Sequence, residues 1–176
     1  MLTLQTDRLV LIATTLAHLD AELVSPVELE ALLQAHVPES WPPGEYDRAA
    51  VEFFRARLLE NPEAVGWLGW YALHQPDLDH QPVVVGSGGY FGPPGADGTV
   101  EIGYSMVPEF RGMGFATELV QALLRRAFSV PGISQVIAHT HPENIGSVTV
   151  LERCGFSFSG PGQEPGTVRY SRSKIE

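Results

Sequence analysis

The spacing of apolar residues changes from helical to alternating and back along the chain, and the changes divide it into elements. RLVLIA (8–13) is an unbroken run rich in branched residues and reads as a first strand. Helical spacing follows from about Thr15 to Ala35, interrupted at Pro26, which lacks a backbone donor and crowds the preceding turn. The Pro-rich stretch VPESWPPGEYD (37–47) then separates this from a second helix. Asp47 supplies its N-cap, Val51, Phe54, Leu58 and Leu59 fall at helical spacing, and NPE (61–63) ends it.

The period shortens in the middle of the chain. WLGWYALH (67–74), PVVVGSGGYFG (82–92) and GTVEIGYSMV (98–107) are strand-like runs divided by the turn-forming QPDLDHQ and PPGADG. Connections this short predict an antiparallel meander. A helix from about Gly114 to Ser129 places Ala116, Val120, Leu123 and Ala127 on one stripe, and Pro131 and Gly132 end it. ISQVIAHT (133–140) reads as a buried strand, Asn144 to Cys154 as a short helix, and FSFS and TVRYSRS as closing strands. Three strands, helix, strand, helix, strand predicts an α+β fold: a mixed sheet with one parallel step across a helix. The economical reading is a single domain with one core over residues 1–176.

Composition narrows the function. Lys and Arg number 11 against 21 Asp and Glu, a net charge of −10, so the average surface repels nucleic acid and attracts cations. No apolar run approaches the roughly 18 residues of a membrane span, and the N-terminal stretch carries no basic leader. The one cysteine, Cys154, can form no internal disulfide, which suits a reducing cytoplasm, and it reads as a small buried hydrophobe.

One segment raises a chemical question. PEFRGMGFATELV (108–120) places Gly112, Gly114 and Ala116 at alternate positions and runs straight into a helix. A helix begins with unpaired N–H groups and a partial positive charge, so a bare backbone there lets a phosphate oxygen reach several amides. A tight strand-to-helix turn would use the same residues. The nucleotide-triphosphatase loop is excluded because Phe115 and Ala116 stand where it needs Lys and Ser or Thr. The dinucleotide fingerprint fails at Thr117. A second glycine run, GSGGYFG (86–92), precedes no helix and reads as a bulged strand.

These residues resemble a family. Arg111, Gly114 and Ala116 fit the Arg/Gln-x-x-Gly-x-Gly/Ala signature of the GNAT superfamily of acyl-CoA-dependent N-acetyltransferases. DRLVL near the start, VEIGYSMVPEFRGMGFATE in the centre and HPENIGSVTVLERCGF (141–156) are similar to its RimJ/RimL branch, which acetylates ribosomal-protein N-termini. The likeness is weak between about Thr14 and Asp79, the acceptor side in similar proteins. It implies a mostly antiparallel sheet splayed between the fourth and fifth of the strands read above. It further implies acetyl-CoA as cosubstrate, no metal, a primary-amine acceptor that could be a protein N-terminus, and a homodimer. Arg111, Gly112, Met113, Gly114, Phe115 and Ala116 would hold the pyrophosphate through the backbone. Met106 and Val107 would line the pantetheine arm beside a bulge around SMV, with the Val107 N–H polarising the thioester carbonyl.

Acetyl transfer to an amine requires a neutral amine and a home for the departing thiolate. Glu101, five residues before the expected bulge, is the first choice of base, with His139 and His141 as alternatives; Glu101 could equally be a solvated strand residue. Two His at this spacing share a strand face, but no third metal ligand is evident. Many relatives use a Tyr seven residues beyond the Asn as acid, and here that slot is Leu151. By resemblance Ser147 would meet the thiolate, and Asn144 would contact the coenzyme arm or serve only as an N-cap. Trp41 and Tyr46, in SWPPGEY, would cap the acceptor pocket or cover the core. The missing Tyr keeps open a second reading, an acyl-CoA-binding sensor with little transferase activity.

Overall fold

The computed structural model describes residues 1–175. Helix boundaries follow from local chemistry. Thr15 and His18 form a reciprocal cap that starts α1 (Leu16–Val24). Ser25 accepts the Glu28 N–H and opens α2 (Pro26–Leu33), with Pro26 at a first position that has no intrahelical N–H bond to lose. The interrupted helix is therefore two. Asp47 accepts the Ala50 N–H at 3.0 Å and caps α3 (Arg48–Glu60), after which Pro62–Ala64 make a single tight turn.

Eight strands form one sheet: β1 (Thr3–Gln5), β2 (Leu9–Ala13), β3 (Gly69–His74), β4 (Val83–Tyr90), β5 (Thr99–Met106), β6 (Gln135–Thr140), β7 (Ser157–Pro161) and β8 (Val168–Ser173). Their order is β1-β2-β3-β4-β5-β6-β8-β7. Neighbours are antiparallel except β5 and β6, which run parallel across α4 (Phe115–Ser129). A final helix, α5 (Ile145–Arg153), precedes β7. The pairings match the meander and the parallel step; β1, only three residues long, and the insertion of β8 between β6 and β7 were not in the sequence reading.

Strand alternation splits the expected single core into two, one on each face. Leu11, Trp70, Ala72, Val100 and Ile102 pack with Leu119 and Leu123 of α4. Ile12, Tyr71, Leu73 and Val84 face the other way and pack with Leu19, Leu29, Val51 and Leu58 of the first three helices. Cys154 is buried in the α4 cluster, where loss of solvent pushes its thiol up to about 11, and its Sγ–H donates to the Thr117 carbonyl at 3.6 Å.

Candidate active site

The parallel ladder between β5 and β6 covers four pairs, Thr99 with Gln135 through Ile102 with Ala138. Beyond them Gly103–Met106 stay paired to β4 only, so the sheet opens into a gap. The Glu101 carbonyl accepts the Phe91 N–H, and the Val107 N–H is donated to the Val85 carbonyl at 2.9 Å, so backbone groups of odd-numbered residues point at β4. By alternation those of Tyr104 and Met106 point into the gap. This corrects two expectations. The bulge lies at Val85 of β4, between the pairs Val84–Leu73 and Gly86–Ala72, while the β4–β5 register is regular through Met106. The extra residue aims its carbonyl at Val107, whose N–H is committed there and is not free to polarise a thioester. The side chains of Met106 and Val107 are both buried.

At the mouth of the gap, Arg111, Gly112, Met113 and Gly114 are exposed, and Phe115 and Ala116 begin α4. Gly112 and Gly114 adopt φ of 73° and 82°, the left-handed region that disfavours a side chain. A Cβ on Gly112 would meet nothing within 4 Å, whereas one on Gly114 would lie 3.2 Å from an Arg8 guanidinium nitrogen, so the loop is open at Gly112 and backed by Arg8 at Gly114. Among the described residues, the N–H groups of Gly112, Met113 and Gly114 find no acceptor, and the first N–H groups of α4 add to them. Arg111 turns back to donate its Nε–H to the Met106 carbonyl at 3.1 Å.

A brace from the turn between β1 and β2 holds this loop. The Arg8 guanidinium stacks on the Phe115 ring at 4.5 Å and donates to the Met113 carbonyl at 2.8 Å, turning the loop's acceptors inward. It also pairs with Glu118 at 2.8 Å. Burial pushes the Glu118 carboxyl up, but hydrogen bonds from Thr6 and Arg8 outweigh it and keep the group below its ordinary range. A carboxylate in the first turns of α4 is thereby neutralised beside an anion-ready loop. Arg8 was not among the residues singled out from the sequence; the matching DRLVL segment was its one signal.

Where the ladder ends, two proposed alternatives turn out to be partners. His139 Nδ1 lies 2.8 Å from Glu101 Oε1, with side chains 14% and 26% exposed. Both alternate with core residues of the α4 face and so lie on the sheet face that carries α1 to α3. His141 lies past the end of β6 and is exposed.

The opposite face supplies hydroxyls. Asn144 caps α5 by accepting the Ser147 N–H at 3.1 Å, and its side chain is exposed at the helix mouth. Ser147 is half-buried, and Leu151, one turn on, is fully buried. Tyr104 of β5, missed from the sequence, brings its hydroxyl to Ser147, donating to the carbonyl at 3.0 Å and lying 3.1 Å from Oγ. Burial pushes this phenol up to about 12, so it stays protonated at neutral pH.

Trp41 and Tyr46 are 9% and 8% exposed and belong to the core on the α1–α3 face. Both donate to Glu22 of α1, Trp41 Nε1 at 2.7 Å and Tyr46 Oη at 3.0 Å, and Tyr71 joins them. The loop they anchor reaches the gap: the Pro43 carbonyl accepts from Ser105 of β5 at 3.2 Å, and Ser40 donates to Glu109.

Comparison with known proteins converges on one family. Residues 8–157 match the model of the acetyltransferase (GNAT) domain. An uncharacterized N-acetyltransferase of Bacillus subtilis (strain 168), YjdG, is 28% identical over 164 residues, 93% of this chain and 95% of that protein. The fold is similar to RimL, a ribosomal L7/L12 alpha-N-protein acetyltransferase solved with coenzyme A, at 19% identity, 98% of each chain and a TM-score of 0.67. It is similar also to the microcin C7 self immunity acetyltransferase MccE, solved with acetyl-CoA and AMP, at 17% identity, 96% of this chain, 94% of that one and a TM-score of 0.64.

Proposed function

Since the chain belongs to the acetyltransferase (GNAT) domain family, we propose that it transfers an acetyl group from acetyl-CoA to a primary amine, by direct attack while both are bound in the gap between β5 and β6. The observation that carries this reading is the run of exposed, unpaired amides at Gly112–Gly114, at the mouth of that gap. Pyrophosphate oxygens fit these donors, and the pantetheine arm fits the free edge of β5 at Tyr104 and Met106. The Met106 N–H, rather than that of Val107, then stands where it can stabilise the tetrahedral oxyanion.

Base and leaving-group partner lie on opposite faces of the sheet, on either side of the gap. With Nδ1–H donated to Glu101, His139 keeps its Nε2 lone pair for the amine proton. The amine nitrogen forms its bond to the acetyl carbon as that proton leaves. The C–S electron pair departs on sulfur, which meets the Ser147 hydroxyl and is protonated by solvent. The products are the acetamide and the free thiol. An acidic chain of net charge −10 and a carboxylate beside the base favour a cationic acceptor, for which a protein N-terminal amine and a small-molecule amine share the required chemistry.

Calorimetric titration with acetyl-CoA of the wild type and of Gly114→Glu tests the site, followed by thiol release across an amine panel. Micromolar-range binding, lost in the variant, is the expected result. A folded wild type that binds nothing removes the coenzyme reading; binding without thiol release from any amine favours the sensor.

A further inference from the structure

The site lacks the usual helix tyrosine, since Leu151 occupies that slot and is fully buried. A phenol nevertheless reaches the first turn of α5, from the strand rather than along the helix. Tyr104 lies two residues beyond the last β5–β6 pair, where the gap begins, and its ring packs against the core on the α4 face. Its hydroxyl touches both Ser147 Oγ and the Ser147 carbonyl, and Ser147 itself is half-buried, so part of it remains open to solvent.

We propose that Tyr104 is a positioning residue for thiolate departure, acting through Ser147; the inference rests on the coenzyme reading above. A phenol has one proton. While it is donated to the Ser147 carbonyl, the Ser147 O–H is free to donate back to the phenol oxygen, and the pair is closed on itself. As negative charge builds on sulfur, the phenol proton turns from the carbonyl to Ser147 Oγ, and the Ser147 O–H turns to sulfur. No proton leaves either residue: two hydrogen bonds rotate, and the thiolate gains a donor polarised by a second donor behind it. The same buried phenol resists ionisation, as a fixed donor must.

Tyr104→Phe keeps the ring and removes the hydroxyl. We expect kcat to fall about tenfold, the acetyl-CoA KM to stay within about twofold, and the melting temperature to hold. Ser147→Ala should cost at least as much, and the double variant no more than Ser147→Ala alone, because one residue works through the other. A readout that needs no acceptor separates this inference from the function it rests on. Wild type and Tyr104→Phe are titrated with coenzyme A and with its desulfo analogue at about pH 9, where more of the thiol is ionised than at neutral pH. Cys154, the other ionisable group the phenol feels, is pushed up to about 11 and remains neutral there.

Wild type should prefer the thiol-bearing ligand about tenfold more strongly than Tyr104→Phe does, with equal desulfo affinity in both. Equal preference in the two proteins overturns the proposal while the coenzyme site stands. Parallel loss of both ligands in the variant also overturns it, because the hydroxyl would then only be holding α5. If wild type binds neither ligand, the coenzyme reading falls and this inference with it.

Discussion

Glu101 and His139 are 38 residues apart in the chain and 2.8 Å apart in space, which makes them a unit rather than two candidates. A base of this kind contributes on the order of 100-fold or more, so Glu101→Gln and His139→Asn should each lower kcat/KM for the amine by about that factor. The double variant should lose little beyond the worse single one; losses that multiply would show two independent roles. Such pairing is invisible in sequence because it depends on register. Ile102 faces Ala138, and a slip of one residue would turn His139 to the other face and into the α4 core. The same holds for Tyr104 and Ser147, 43 positions apart. Glu101, His139 and Ser147 could be named from the sequence, whereas the pairing of the first two, and Tyr104 as the partner of the third, could not.

At the scale of elements, caps and breaks were legible because their chemistry is local: Asp47 before α3, Pro26 between α1 and α2, Gly114 before α4. The loop 37–47 was not, since it takes its shape from Glu22 on α1, which Trp41, Tyr46 and Tyr71 converge upon. Burial pushes the Glu22 carboxyl above its ordinary 4.5, although the three donors pull it back. A raised folded value means that its protonation favours the fold: the contribution is fully present below about pH 4.5 and is lost as pH rises through the folded value. Glu22→Gln removes that dependence and leaves at least one buried donor short of an acceptor. The variant should therefore be less stable than wild type by about 1–3 kcal/mol, with the gap widest in acid and narrowing toward neutral pH. Denaturant melts at several pH values check this, and a gap that widens toward neutrality contradicts the assignment. Tyr46 stacks near Phe54, and Phe54 near Phe91, so a loosened loop should also raise the KM for the amine before that for acetyl-CoA.

Across the whole molecule, the proposed function asks an acidic chain to hold a polyanionic coenzyme, and the oriented amides of the loop would do this without an excess of cations. The orientation depends on a residue from the other end of the sequence. Arg8→Ala frees the Met113 carbonyl and strips Glu118 of its cation, so acetyl-CoA affinity should fall about tenfold in calorimetry while the fold persists. Unchanged affinity would show that the loop holds its own shape. The sheet order was legible as far as short connections dictate it, from β3 through β5 and across α4 to β6, and was not where β2 joins β3 or where β8 enters between β6 and β7, choices made by long-range pairing. The Arg8 brace has a consequence for motion. The backbone N–H of Arg8 is donated to Glu118 at 2.7 Å, behind the loop. A ligand that fixes the loop's outer amides also fixes what grips it from behind, so deuterium uptake at the Arg8 amide should slow when acetyl-CoA binds, reporting occupancy from a turn on the far side of the loop.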